Sequence, residues 1–293
     1  MVCHPERRRR ISHRDKDILP PYSRQNDIQK LKDMKHLIYI IGIILCSISS
    51  LQAQETAFAD GAVVYTKAMG DSAYAVADYA TAAHIYEHLI AEHGESAAVY
   101  YNLGGAYYKM NEIARSILNY ERALLLDPSN EDAKFNLELA RAKAVDRNAV
   151  MTELFFVRWY RDFAAIMSTD AWAKASILCF IICIACFALF IFGKKRKTKK
   201  IFFIFAILSL VGCILTGVIA SSQAAKLKHR ESAIIMEPSV TVRSTPSANG
   251  TELFVLHEGK KVTIKDDSMK AWKEIEVEDG NLGWLPAQAI ERI

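Results

Sequence analysis

Two uninterrupted apolar runs, Ala175 to Gly193 and Ile201 to Ala225, constrain this chain more than any other feature, because neither contains a charged side chain. At about 1.5 Å of rise per residue, a helix of either length crosses a hydrocarbon core of about 30 Å. Between them, Lys194 to Lys200 holds six Lys/Arg residues, and basic connectors of this kind stay on the cytoplasmic side. The pattern predicts a transmembrane hairpin: a first span over 175–193, a cytoplasmic basic loop over 194–200 and a second span over 201–225. Both flanking regions then face away from the cytoplasm.

The start of the chain agrees with that orientation. From Met34 the sequence MKHLIYIIGIILCSISSLQAQ has Lys35 and His36, an apolar stretch from Leu37 to Cys46, and small or polar residues to Ala53-Gln54. This is the order of a secretory signal peptide over 34–53, cleaved near Ala53. A lipoprotein reading through Cys46 is weak, because Leu45 stands where a small residue is needed. Residues 1–33 fit no part of this order and are read as an untranslated or disordered leader, with translation starting at Met34. That leader has nine Lys/Arg and five Asp/Glu, so the formal net charge of +4 is confined to it and the rest carries 28 of each sign. A chain without net positive charge outside its leader is not expected to bind nucleic acid. The expected location is the inner membrane, with two spans and both soluble domains in the periplasm.

Between Glu55 and Arg147 the chain is rich in Ala and Leu and repeats itself at a spacing of 34 residues. Over 97–130, Tyr100, Leu103, Gly104 and Tyr107 mark a first helix, Ser116, Tyr120 and Ala123 a second, and Asp127-Pro128 the stop. One period earlier Gly70, Ala82 and Tyr86 take the same places around a turn at Asp78-Tyr79, although Ala73 stands where an aromatic is expected. One period later Ala133 to Ala144 keeps Leu137 but has Glu138 at the small position. The region 55–147 is thus about two and a half repeats. It resembles the tetratricopeptide family, whose members bind peptides on the concave face of their first helices. By that resemblance the face consists of Lys67, Asp71, Tyr74, Tyr101, Tyr108 and Phe135, with plain inter-helix packing as the other role for the tyrosines.

Residues 148–174 form an amphipathic juxtamembrane segment. Leu154 to Phe163 mixes aromatics with Arg158 and Arg161, and Trp172 follows near the first span. Such a segment either lies in the membrane interface, with Trp159, Tyr160 and Trp172 at headgroup depth, or packs against the preceding domain.

After Lys226 the texture changes to short alternating runs: Ala233–Met236, Val240–Arg243, Leu253–Leu256, Val262–Lys265 and Trp272–Val277, each bounded by Pro, Gly, Asn or Asp. Asp279-Gly280 predicts a tight hairpin turn, and His257 to Lys260 another. Val242-Arg243, Pro246, Gly259, Trp272 and Gly283-Trp284-Leu285-Pro286 resemble a bacterial SH3-like domain over 232–293. Such domains are linked with cell-wall peptides or protein ligands, which makes Trp272 and Trp284 the ligand candidates. Core packing is their alternative role, since a domain this small has few other large side chains.

Two motifs suggest chemistry and are set aside. His84-Ile85-Tyr86-Glu87-His88 has the spacing of an inverted zincin, but it falls on the second helix of a repeat, where Tyr86 packs and the histidines point to solvent. Cys179, Cys183 and Cys186 share one face of the first span, where buried thiols are inert and packing against the second helix near Cys213 is the expected role. No disulfide is expected in the exported domains. No phosphate loop, nucleophile elbow or paired carboxylates appear, and no enzymatic activity, cofactor or metal is expected.

The fold class read here is multidomain: all-α tetratricopeptide repeats, a two-helix transmembrane hairpin and a small all-β SH3-like barrel. That order, with segments such as FNLELAR and LFVLHEG, resembles the BatE-like proteins of Bacteroidetes aerotolerance operons over residues 34–293. The resemblance implies a membrane scaffold for protein partners, namely von Willebrand A-type membrane proteins and a MoxR-type ATPase system. The alternative is a sensor or accessory protein that contacts peptidoglycan through the SH3-like domain.

Overall fold

The computed structural model describes residues 64–146, 154–193 and 195–293. The expectations for the leader 1–33 and the signal peptide 34–53, and parts of those for the repeats and the juxtamembrane segment, lie outside the described residues. The chain forms two units. The described part of one is Phe180–Leu210, and the other contains the remaining described residues.

Among the described residues the repeat region has five helices: α1 (Lys67–Ala75), α2 (Tyr79–His93), α3 (Ala97–Lys109), α4 (Ile113–Leu126) and α5 (Glu131–Arg141). Three of their starts are set by side chains that accept otherwise orphaned backbone N–H groups. Thr66 accepts from Met69 N, Asp78 from Thr81 N and Asn130 from Ala133 N. Between α1 and α2 the backbone reverses through Ala77 (φ 63°), and between α3 and α4 through Asn111 (φ 64°), one period later. Helices pair because small residues let aromatic rings in. A Cβ on Gly70 would sit 2.5 Å from the Tyr86 ring, and one on Gly104 2.8 Å from Tyr120. The same glycine–tyrosine lock thus recurs in both repeats, and Ser116 adds a hydrogen bond from its hydroxyl to the Gly104 carbonyl at 2.9 Å.

The C-terminal domain is an antiparallel sheet of β1 (Ser232–Ile235), β2 (Ser239–Arg243), β3 (Glu252–His257), β4 (Lys261–Asp266), β5 (Trp272–Glu276), β6 (Leu282–Pro286) and β7 (Ile290–Arg292), in the order β3-β2-β6-β5-β4-β1-β7. Alternation sends Val240, Val242, Val262, Ile264, Ile275 and Leu285 into one core. The turn at Gly280 (φ 85°) joins the paired strands β5 and β6. The expected hairpin at 257–260 is corrected: β3 pairs only with β2, and β4 with β1 and β5. The turn there, at Gly259 (φ 84°), carries the chain between strands that are not neighbours.

This sheet is not an independent bead, because it docks on α4 and α5. In β1, Ala233, Ile234 and Ile235 are all fully buried, which requires cover on both faces of the strand. Ala233 and Ile235 enter the sheet's own core, while Ile234 joins Ile113, Ile117, Leu118, Leu137 and Ala140 of the repeats, together with Ile293. Polar groups frame the seam. Glu121 of α4 is held by Arg141 and by Lys261 of β4 at 2.8 Å, and Arg122 reaches Glu291 at 2.9 Å and the Arg292 carbonyl at 2.6 Å. Arg230 grips Glu95, and Asp146 accepts from the His257 backbone N–H at 2.7 Å. Burial raises the Glu121 carboxyl, but Lys261 and Arg141 outweigh it and hold the group below its ordinary value.

Three further helices follow the repeats: α6 (Phe155–Ala164), α7 (Thr169–Phe192) and α8 (Arg196–Lys228). The last two are long and apolar enough to cross a membrane, with mean hydropathy of 3.0 and 2.7 in their most apolar windows and almost no residue of those windows buried. The basic loop expected over 194–200 is corrected, because Arg196–Lys200 is the first turn of α8. Lys and Arg are good helix formers, and Thr198 donates to the Lys195 carbonyl at 2.8 Å to start the turn. In the Phe180–Leu210 unit, Phe190 meets Phe203 with ring centroids 5.4 Å apart, and Cys183 donates to the Ala206 carbonyl at 3.4 Å. Where the same helices belong to the other unit, the Ser176 hydroxyl donates to the Cys213 carbonyl at 3.1 Å and Gly212 faces Cys179. Small side chains thus let the two helices approach.

Helix α6 buries none of its side chains, so it does not pack against the repeats. Its C-terminal end is fastened instead to the base of α7 and α8. The Ala164 carbonyl accepts from the Trp172 indole at 2.9 Å and from the Gln223 amide at 2.6 Å. Trp172, expected at headgroup depth, is buried here against Ile219 and Ala220.

Candidate functional site

The first helices of the repeats, with tyrosines from the second helices behind them, enclose a cavity of about 480 Å³. Helix α1 contributes Asp71 and Tyr74, α3 contributes Tyr101, Asn102, Gly105, Tyr108 and Lys109, and α5 contributes Asn136 and Leu139; Tyr86 and Tyr120 form the floor. The floor follows from the glycine–tyrosine lock, since each ring that fills the gap at Gly70 or Gly104 leaves its hydroxyl pointing onward.

Polar groups in the cavity are organised around Asp71. Its Oδ1 accepts from the Tyr86 hydroxyl at 2.7 Å and from the Asn102 amide at 2.8 Å, while Oδ2 pairs with Lys67 at 2.7 Å. Burial raises the Asp71 carboxyl, yet hydrogen bonds from Lys67, Tyr86 and Asn102 hold it below its ordinary value. Burial pushes the Tyr86, Tyr120 and Tyr74 phenols up, and the nearby Asp71 carboxylate pushes Tyr86 further. All three are therefore neutral phenols at physiological pH. At the other end Asn136 donates its amide to the Tyr101 hydroxyl at 3.1 Å, and the Lys143 ammonium sits 4.0 Å from the Tyr108 ring centroid. Aromatic faces alternating with amides and hydroxyls match an extended peptide, which presents apolar side chains and backbone polar groups together.

Four of the six residues expected on this face, Asp71, Tyr74, Tyr101 and Tyr108, line the cavity. Lys67 stands beside it as the partner of Asp71. Phe135 is 66% exposed and is not among the lining residues, to which α5 contributes Asn136 and Leu139. The unanticipated members Asn102 and Asn136 lie one 34-residue period apart, a signal present in the sequence.

The other candidates are placed as follows. Trp272 and Trp284 are half-buried and outside the sheet's core. Strand alternation puts Trp272 beside Pro286 and Trp284 beside Glu274, on the face opposite Ile275 and Leu285. The packing role expected of them falls to aliphatic residues. His84 is exposed, whereas His88, expected to point to solvent, is half-buried with its ring edge-on to Tyr65 at 4.7 Å. A larger cavity of about 870 Å³ runs along the edge strand β3, from Asp146 and Val145 to Leu282.

Residues 97–130, the pair α3–α4, match the tetratricopeptide repeat family. No curated protein matches the chain. The matched pair supplies Tyr101, Asn102, Gly105, Tyr108 and Tyr120 of the cavity. Repeats of this class mediate protein–protein interaction, so a helical-repeat interaction region, two apolar helices and an antiparallel sheet domain define the class of protein.

Proposed function

We propose that this protein is a non-enzymatic, membrane-anchored scaffold that captures an extended segment of a partner protein in the tyrosine-lined groove of its repeats. The observation that carries the reading is the cavity bounded by Asp71, Tyr101, Asn102, Tyr108 and Asn136 on a matched repeat. Helices α7 and α8 form the anchor, and the sheet domain is an SH3-like module. Both soluble parts lie in the periplasm. In support, the repeats precede the hairpin and the sheet follows it, yet the two are packed together through Ile234, Glu121 and Lys261, which requires both outer ends of the hairpin to open on the same side. The resemblance to BatE-like proteins makes von Willebrand A-type membrane proteins and a MoxR-type ATPase system the partners, and oxygen or stress tolerance the setting.

The test is purification of tagged full-length protein from its native membrane in mild detergent, comparing wild type with Tyr101→Ala/Tyr108→Ala. Deletion of the whole repeat region would also uncover the sheet domain, so the point variants are the cleaner probe. Loss of von Willebrand A-type partners from the variant supports the scaffold; an unchanged partner set refutes recognition by the groove. A second reading, peptidoglycan contact through the sheet domain, is favoured by Trp272 and Trp284 standing outside its core. It requires co-sedimentation with peptidoglycan that Trp272→Ala/Trp284→Ala abolishes.

A further inference from the structure

Among the described residues outside the two long helices, α6 presents a continuous run of exposed aromatic side chains. At 100° per residue, Phe155, Phe156, Trp159, Tyr160 and Phe163 fall within one sector of about 140°; Arg161 is opposite it, Arg158 is on the far side, and Asp162 lies at the edge of the sector beside Phe155. None is buried; Phe155 is 84% exposed and Trp159 67%. In water such an aromatic stripe has no cover. None of the side chains of α6 is buried against the repeats, and its C-terminal end is attached to the base of the hairpin, through Ala164, Trp172 and Gln223.

We infer that α6 lies in the plane of the membrane surface, with its five aromatic side chains inserted at the boundary between phospholipid headgroups and acyl chains. The inference rests on the membrane-anchored reading, because it is the hairpin that brings the helix to that depth. Three observations select lipid as the occupant. The stripe is continuous with the hairpin through the clamp at Ala164, so the C-terminal end of α6 is fixed where the chain enters the bilayer. Its composition is aromatic on one side and basic on the other, the pattern of helices that rest at headgroup level. Finally, Asp162 at the edge of the stripe pairs with Arg158 (3.9 Å) and tempers the positive charge, so insertion of the aromatics, more than attraction to anionic lipid, holds the helix down. Trp172 then serves as the structural pin that sets the angle between α6 and α7, and Trp159 and Tyr160 are the interfacial anchors.

The test uses the full chain in its native membrane, with the photo-crosslinking residue benzoylphenylalanine placed singly at Phe155, Trp159, Arg161 or, in the second long helix, Leu208. All four sites are exposed, so folding is not at issue. After irradiation, adducts are identified by mass spectrometry. The expected result is phospholipid adducts at Phe155, Trp159 and Leu208 and none at Arg161. Lipid adducts at Leu208 with only protein adducts, or none, at Phe155 and Trp159 overturn the interfacial helix while leaving the anchor intact; protein adducts would make the stripe a docking face for another polypeptide. Absence of lipid adducts at Leu208 as well overturns the membrane anchor and this inference with it.

Discussion

The Oε2 atom of Glu121 lies 2.8 Å from the ammonium of Lys261, 140 positions further along the chain. Glu121 itself is only 7% exposed and is also held by Arg141. One buried carboxylate therefore ties two repeat helices to a strand of the C-terminal sheet, across everything the chain does between Arg141 and Lys261.

Removing that acid alone strands two cations at the seam. Glu121→Ala is expected to cost about 3 kcal/mol, the low end for breaking a buried pair, because Arg141 and Lys261 retain 25% and 32% exposure. The midpoint of urea unfolding of the solubilised full chain measures it, and the triple variant E121M/R141M/K261M should recover most of the loss. An unshifted midpoint in E121A would remove the ion triad from the account of the seam.

The same group makes the docking sensitive to acid. Glu121 titrates lower in the folded protein than its ordinary value of 4.5, so its contribution is complete above that value and is lost as pH falls through the lower folded one. Glu95, lowered by its hydrogen bonds from Arg230, acts in the same direction. Hydrogen exchange at Ile234 and Ile235 should thus be flat near neutrality and rise, beyond its intrinsic pH dependence, only below about pH 4.5; a rise beginning near pH 6.5 would point to histidine instead.

Adjacent glycines in α3 should respond with opposite sign. A Cβ at Gly104 would stand 2.8 Å from the buried Tyr120 ring, so Gly104→Ala should destabilise by about 1–3 kcal/mol through overpacking. A Cβ at Gly105 meets the Tyr74 ring and hydroxyl and the Tyr120 hydroxyl at ordinary contact, none nearer than 3.5 Å, and Gly105→Ala should gain up to about 1 kcal/mol from helix propensity. Thermal midpoints of the two variants decide, and equal shifts would contradict the lock.

Two left-handed glycines in the sheet domain offer a second contrast. Gly280 (φ 85°) faces open space, whereas a Cβ on Gly259 (φ 84°) would come within 2.9 Å of Ile117 in the repeats. Gly280→Ala should cost about 1–2 kcal/mol from backbone strain alone, and Gly259→Ala more, with faster hydrogen exchange at Ile234. Identical effects would mean that Gly259 is not pressed against α4.

Local features were legible in the sequence and long-range ones were not. The repeat over 97–130 could be read because Gly104, Tyr120 and Pro128 each satisfy a steric demand at a fixed offset, and the strands because burial alternates. The groove was read from the same period and the family resemblance: Asp71, Tyr101 and Tyr108 line the cavity, whereas from α5 its lining takes Asn136 and not Phe135, one period after Tyr101. The docking of the two soluble parts was invisible, since Ile234 looks like any apolar strand residue until its second face is seen to be covered. The basic segment read as a loop because charge marks the membrane side of a connector; its helical state depends on Thr198 and propensity, which charge does not report.

The repeat array stops at a solitary helix, α5, and the apolar surface beside it, Leu137 and Ala140, is taken by Ile234 and Ile293 of the sheet domain. Arrays of this kind ordinarily change length by duplication of whole units. A unit inserted after Arg141 would have to evict the sheet, so growth in that direction is closed. Descendants of this chain are left to diversify their groove by substitution within it, or by adding units ahead of Lys67.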